Sequence, residues 1–135
     1  AVNTDQFGIS ALTSWTLGPT PGQNTLTATA SGLAGSPVTF TATGLNIFTI
    51  SVVNFQFQPA TPTIAVGTTV RWVWANGSGP HTVTPDATEP PRSGNPVSAP
   101  FTYQHRFDTP GTYRYYCEVH GGPGGSGMSG TITVQ

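Results

Sequence analysis

Thr112-Tyr113-Arg114-Tyr115-Tyr116-Cys117-Glu118-Val119-His120 is the stretch on which the reading of this chain turns. Thr, Tyr and Arg alternate as in a half-buried strand, Cys117 closes the strand, and His120 follows after only two residues. A turn at the strand end would point both side chains into one space. Gly121-Gly122-Pro123-Gly124-Gly125-Ser126-Gly127 then reads as a loop that returns Met128 just ahead of a last strand, Thr131-Ile132-Thr133-Val134. Far upstream, Pro80-His81 follows the Trp-rich strand Thr69-Val70-Arg71-Trp72-Val73-Trp74. Folding can therefore gather one thiolate (Cys117), two imidazoles (His81, His120) and one thioether (Met128) around a single ion. That donor set is the ligand list of a blue-copper electron-transfer site, in which the sulfur donors favour Cu(I) and imidazole also suits Cu(II). Small rearrangement between the two oxidation states means fast electron exchange.

Each piece is weak by itself. A solitary Cys is usually a small inert hydrophobe, and a Met beside a strand is usually core filler. The joint spacing is what gives the set its specificity. His105, in Tyr103-Gln104-His105-Arg106-Phe107, sits on a strand ahead of the Pro110-Gly111 turn and reads as a structural imidazole. Tyr115, Tyr116, Trp72 and Trp74 read as core aromatics.

Working outward, the same alternation recurs in Thr25-Leu26-Thr27-Ala28-Thr29, Val38-Thr39-Phe40-Thr41 and Phe48-Thr49-Ile50-Ser51-Val52. Breakers separate the strands at Gly18-Pro19-Thr20-Pro21-Gly22, Gly35-Ser36-Pro37 and Pro59 to Pro62, and no apolar period of 3.6 residues runs long enough for a helix. The expected class is all-β.

Only 7% of the residues are charged, Lys is absent, and the net charge is -1, which leaves no basic footprint for nucleic acid or an anionic membrane surface. Aromatic residues at 10% and abundant Thr and Val argue for a folded chain rather than solvated coil. No apolar run approaches the roughly 20 residues of a membrane-spanning helix, and Ala1-Val2-Asn3-Thr4 lacks the features of a signal peptide. A single Cys cannot form an internal disulfide, so an unpaired thiol in an exported-looking chain needs another use, and metal ligation is one. An extracytoplasmic location, whether periplasmic, secreted or at the cell surface, is expected.

Character changes near Gly44-Leu45-Asn46: every His, the Cys and the Met lie beyond it. Ser14-Trp15-Thr16-Leu17-Gly18-Pro19 and Gly32-Leu33-Ala34-Gly35-Ser36-Pro37-Val38-Thr39-Phe40 resemble the C-terminal half of a bacterial immunoglobulin-like repeat. A complete sandwich of that kind needs about 100 residues, so residues 1–45 are expected to be a partial immunoglobulin-like segment. Leftover strands expose edges and an apolar face, and they are expected to pack on the second part or on another copy of the chain.

Residues 46–135 resemble the cupredoxins, most closely the plastocyanin-like group. The resemblance is carried by Trp74-Ala75-Asn76-Gly77-Ser78-Gly79-Pro80-His81-Thr82-Val83, by Phe107-Asp108-Thr109-Pro110-Gly111-Thr112 running into the stretch quoted above, and by Gly127-Met128-Ser129-Gly130-Thr131-Ile132-Thr133-Val134. It implies a Greek-key β-sandwich with additional N-terminal strands, holding one type 1 copper ion near one end. By resemblance, His81 and His120 are equatorial nitrogen ligands, Cys117 is the equatorial thiolate and Met128 the long axial contact. Asn76 stands where the family places a residue whose hydrogen bonds tie the ligand loops together, Thr82 replaces the Asn common after this His, and Tyr116 adjoins a side-facing electron route.

The expected function is a one-electron carrier between transient redox partner proteins, not an enzyme. A multicopper oxidase or copper nitrite reductase needs further His clusters, and only His105 is left over. A Cys-His hydrolase lacks an orienting partner and an oxyanion site, and structural zinc seldom recruits Met. The alternatives are a copper-binding structural module of a surface or adhesion protein, and copper delivery or storage.

Overall fold

The computed structural model describes residues 4–11, 14–17, 21–32 and 34–135. Gly18–Thr20 of the first breaker, Leu33 of the immunoglobulin-like motif and the first three residues lie outside that set. The chain divides into two compact units, residues 1–45 and 46–135.

In the first unit, β1 (Gly22–Ala28) and β2 (Val38–Gly44) form an antiparallel hairpin. Strand alternation sorts its side chains by face, since Leu26 opposes Phe40 and Ala28 opposes Val38, while Thr25 opposes Thr41 and Thr27 opposes Thr39. Val38 and Phe40 are about half exposed, at 49% and 51%.

The second unit contains β3 (Ile47–Val53), β4 (Gln56–Gln58), β5 (Thr63–Ile64), β6 (Thr68–Trp74), β7 (Thr84–Pro85), β8 (Thr102–Phe107), β9 (Gly111–Gly122) and β10 (Ser126–Val134). They make two four-stranded sheets, ordered β4-β3-β6-β8 and β5-β10-β9-β7. Along the chain the path crosses repeatedly from one sheet to the other, as in a Greek key, and β3 pairs with β6 in parallel, Ile50 opposite Trp72. Among the described residues the only helical element is a single 3-10 turn, Pro123–Gly125. No helix there is long and apolar enough to cross a membrane.

Period-2 burial builds the core from both inner faces. Ile50 and Val52, then Val70, Trp72 and Trp74, come from one sheet; Tyr115 and Cys117, then Met128, Ile132 and Val134, come from the other. Trp72 sits at the centre, its ring 5.5 Å from Tyr115 and 5.4 Å from Tyr103. Cys117 is thus the next inward position of β9 after Tyr115, so the packing that locks the core also aims the thiol.

Two features differ from the expectation. Cys117 does not end its strand, because β9 continues to Gly122, and Met128 lies within β10 rather than after a long free loop. Gly121 and Gly122 pair with Gly127 and Ser126, which zips up most of the glycine-rich segment. The register then jumps: Gly127 opposes Gly121, but Ser129 opposes Tyr116. Cys117 through His120 therefore bulge out opposite Met128 alone. A bulge re-aims side chains, and this one gathers three of the four expected donors into one short interval.

Candidate metal centre

His81 enters the site from the segment after β6. It is fully buried, and its backbone is bridged to Val97 in both directions, N–H to carbonyl at 3.1 Å and the reverse at 3.2 Å. Burial, and secondarily the neighbouring His120 ring, hold its imidazole below the ordinary histidine pKa. A neutral ring keeps a lone pair for a metal.

The donor atoms converge. His81 Nδ1 lies 3.0 Å from His120 Nδ1, and Cys117 Sγ lies 3.7 Å from the first and 3.6 Å from the second. The point equidistant from all three stands about 2 Å from each, close to the roughly 2.0–2.3 Å of metal–imidazole and metal–thiolate bonds. Among the described residues this is the one group of three or more His, Cys, Asp or Glu side chains arranged to hold an ion. Met128, 2% exposed and next to the bulge, adds a thioether in the vicinity. Two imidazoles, a thiolate and a thioether match a soft, redox-active ion better than zinc, which leaves the residues present a good fit to copper.

The surroundings pin the donors. Thr82 N–H donates to Cys117 Sγ at 3.5 Å, and Thr82 Oγ1 accepts the Glu118 N–H at 2.9 Å. Thr84 Oγ1 donates to Thr82 Oγ1 at 3.1 Å. Thr82, fully buried, thus brackets the thiol from two sides. Thr82→Val keeps the shape but leaves the Glu118 N–H without an acceptor, and metal-free protein is expected to lose about 1–3 kcal/mol in chemical denaturation. Thr82→Ser should lose less.

Asn76 does not tie the ligand loops. It is exposed on a turn closed by Ser78 N–H to the Ala75 carbonyl at 2.9 Å. Thr82 ties the ligand segments instead, while Gly79 N–H donates to Asn54 Oδ1 at 2.9 Å and so holds the segment before His81 to the β3–β4 turn. Asn54 and Phe55 form the two-residue turn between β3 and β4, since Val53 pairs with Gln56. Phe55 has φ +67°, a conformation that costs a side chain about 1–2 kcal/mol. Its ring, 67% exposed, stands edge-on to His120 with centroids 4.9 Å apart. The turn signal of an Asn between two alternating strands was available in the sequence, but its partner was not.

His105 is apart from this cluster. Its Nε2 lies 3.8 Å from Glu89 Oε2, and its ring packs edge-on against Phe107. Burial pushes the Tyr115 phenol well above the ordinary tyrosine pKa, which fits a core role.

A two-sheet β-sandwich with a His-Cys-His cluster at a strand bulge is the architecture of a cupredoxin copper site. The sequence profile described as "Copper binding proteins, plastocyanin/azurin family" matches residues 46–135, and the chain belongs to that family. Plastocyanin from Scenedesmus fuscus is 43% identical, with 58% of this chain and 86% of the relative covered. Halocyanin from Natronomonas pharaonis is 34% identical over 60% of this chain, which spans about half of that relative's length, 49%. A purple cupredoxin from Nitrosopumilus maritimus has a similar structure, with TM-score 0.50, 27% identity and 64% of this chain and 98% of that one covered. A mutant plastocyanin of fern superposes with TM-score 0.51 at 24% identity, covering 65% of this chain and 100% of that one, a likeness of fold.

Proposed function

We propose that this protein is a type 1 copper one-electron carrier whose ligands are His81, Cys117 and His120, with Met128 as the axial contact. The observation that supports it most is the donor triangle of 3.0, 3.6 and 3.7 Å, already spaced for a metal. When bound, copper supplies the one-electron Cu(II)/Cu(I) couple. The chain's part is to keep the donors in place through the Thr82 bracket and the Val97 bridge, to exclude water from Cys117 and His81, and to leave one edge accessible. His120 is only half-buried and is flanked by exposed Phe55 and Val119. A redox partner can approach it closely there, in a transient contact below about 1,200 Å². Visible absorption and cyclic voltammetry of copper-loaded protein test the reading. An intense thiolate-to-copper band with reversible one-electron behaviour is expected; copper binding without either would sink it.

Met128→Leu is expected to retain copper and shift the couple toward Cu(I) by roughly tenfold, about 59 mV for one electron, because a thioether donor is lost from the axial direction. An unchanged potential would remove Met128 from the coordination shell.

A carrier without substrate chemistry is also part of this proposal, as is an extracytoplasmic location. Residues 1–45 as a partial immunoglobulin-like segment belong to it too. The half-exposed Val38 and Phe40 support the idea that this face is covered by another surface in the working protein. A structural module of a surface protein is the second reading, favoured by a fold and stability indifferent to copper; slow redox with ready metal transfer would favour copper delivery or storage.

A further inference from the structure

Arg92, on the segment between β7 and β8, grips the residue that immediately follows the thiolate. Its Nε donates to Glu118 Oε1 at 2.8 Å while Nη2 donates to Glu118 Oε2, a two-pronged pairing. Exposed ion pairs usually contribute little, because two long side chains must be ordered to form them. Here the backbone on either side of Arg92 is already fixed. The Pro91 carbonyl accepts the Tyr103 hydroxyl at 2.5 Å, and Ser93 exchanges two bonds with Val83, each 2.9 Å. Glu118 is held from its main chain by Thr82. Both partners of the fork are therefore presented to each other by structure that exists without them.

Glu118 directly follows Cys117, with about 3.8 Å between their Cα atoms. Its side chain faces the other side of β9 and is 32% exposed, so its carboxylate adds a partly screened negative charge that favours the more positive metal ion. The other carboxylates of the second unit also have partners: Asp108 pairs with Arg106, Glu89 faces His105, and Asp86 accepts the Gly124 N–H. Of the four arginines in the chain, Arg92 pairs with the residue that follows Cys117.

We propose that Arg92 is a charge-compensating and positioning residue for the copper site, acting through Glu118. It cancels the carboxylate next to Cys117 and clamps the Cys117–Glu118 segment to the β7–β8 connection, which Ser93 ties to Val83, two residues beyond His81. The inference rests on the copper reading above.

The experiment is a charge cycle read by reduction potential, using copper-loaded protein at about 10 mM and about 0.5 M ionic strength. Arg92→Gln is expected to shift the couple toward Cu(II) by about three- to tenfold at low salt, and less at high salt. Glu118→Gln should move it the opposite way. The double variant should return close to the parent protein, and Arg92→Lys should retain most of the parent value. A merely structural role would leave the double variant at least as displaced as Arg92→Gln, with no recovery in salt. That result, or an unshifted Arg92→Gln, overturns the charge role. The clamp is read separately in metal-free protein, where the Glu118 amide should exchange faster in Arg92→Gln than in the parent, and equal protection overturns it. A parent protein with no thiolate-to-copper band would instead sink the copper reading, whereas a normal band with a flat charge cycle sinks only the inference. If Arg92→Gln alone does not fold, Glu118→Gln and the double variant decide the charge role: a raised potential in the first with a return to the parent value in the second supports it, and equal potentials in the two overturn it.

Discussion

Cys117→Ser is expected to abolish the intense visible band proposed for the copper-loaded protein, with absorbance at that wavelength falling by more than tenfold. The band arises from charge transfer out of a thiolate, and a serine hydroxyl has neither the soft lone pair nor, near neutral pH, the anionic form. Fold loss is not expected to explain the change. Cys117 has no exposed surface, but Ser is smaller, and its oxygen can accept the Thr82 N–H that Sγ now accepts at 3.5 Å. Far-UV circular dichroism of the metal-free variant should match the parent. Copper affinity falls as well, because two imidazoles and a hydroxyl hold Cu(I) poorly, and the reversible couple should vanish with the colour. Persistence of the band in a folded variant would refute the role of this sulfur, and with it the proposed function.

The largest stability effect is expected at the closure of the ligand bulge. A Cβ on Gly127 would collide with the His120 carbonyl oxygen and lie 2.9 Å from the Gly121 Cα, on a backbone with φ +63°. Both contacts are with main chain, so no side chain can swing aside. Gly127→Ala must open the pairing of β9 with β10, and it should cost on the order of 2–4 kcal/mol from overpacking and backbone strain combined. Gly124 separates the two causes. It too has a positive φ, +76°, but nothing lies within 4 Å of the position its Cβ would take. Gly124→Ala should cost about 1 kcal/mol or less. Urea denaturation of both metal-free variants checks the pair, and equal losses would show that backbone conformation rather than the close approach governs the bulge. Because His120 sits at the pinch, Gly127→Ala should also weaken copper binding while Gly124→Ala leaves it near the parent value.

Local signals made much of this molecule legible. Alternation in Thr69 to Trp74 and in Thr112 to Tyr116 reports which side chains face the core, and the structure buries Val70, Trp72, Trp74, Tyr115 and Cys117 accordingly. Donor identity and order along the chain pointed to His81, Cys117 and His120, whose atoms do converge. What stayed hidden depends on pairing between distant segments. Nothing in Gly121 to Gly127 announces that it zips into a ladder and compresses four residues against Met128. Asn54, Asn76 and Thr82 are all small polar residues near the ligand segments, and only the three-dimensional register shows that Asn54 and Thr82 make the ties while Asn76 faces solvent. Arg92 is 26 residues from Glu118, a separation at which sequence carries no geometric information. Phe55 occupies a backbone conformation usually left to Gly or Asn, so no propensity rule would have put it beside His120.

The donor triangle carries a consequence for metal choice. Donors set about 2 Å from a common point match an ion of copper's size. Cadmium, mercury or silver share the taste for sulfur but demand longer bonds, and could enter only by prising apart the β9–β10 closure, so stiffness there acts as a size filter.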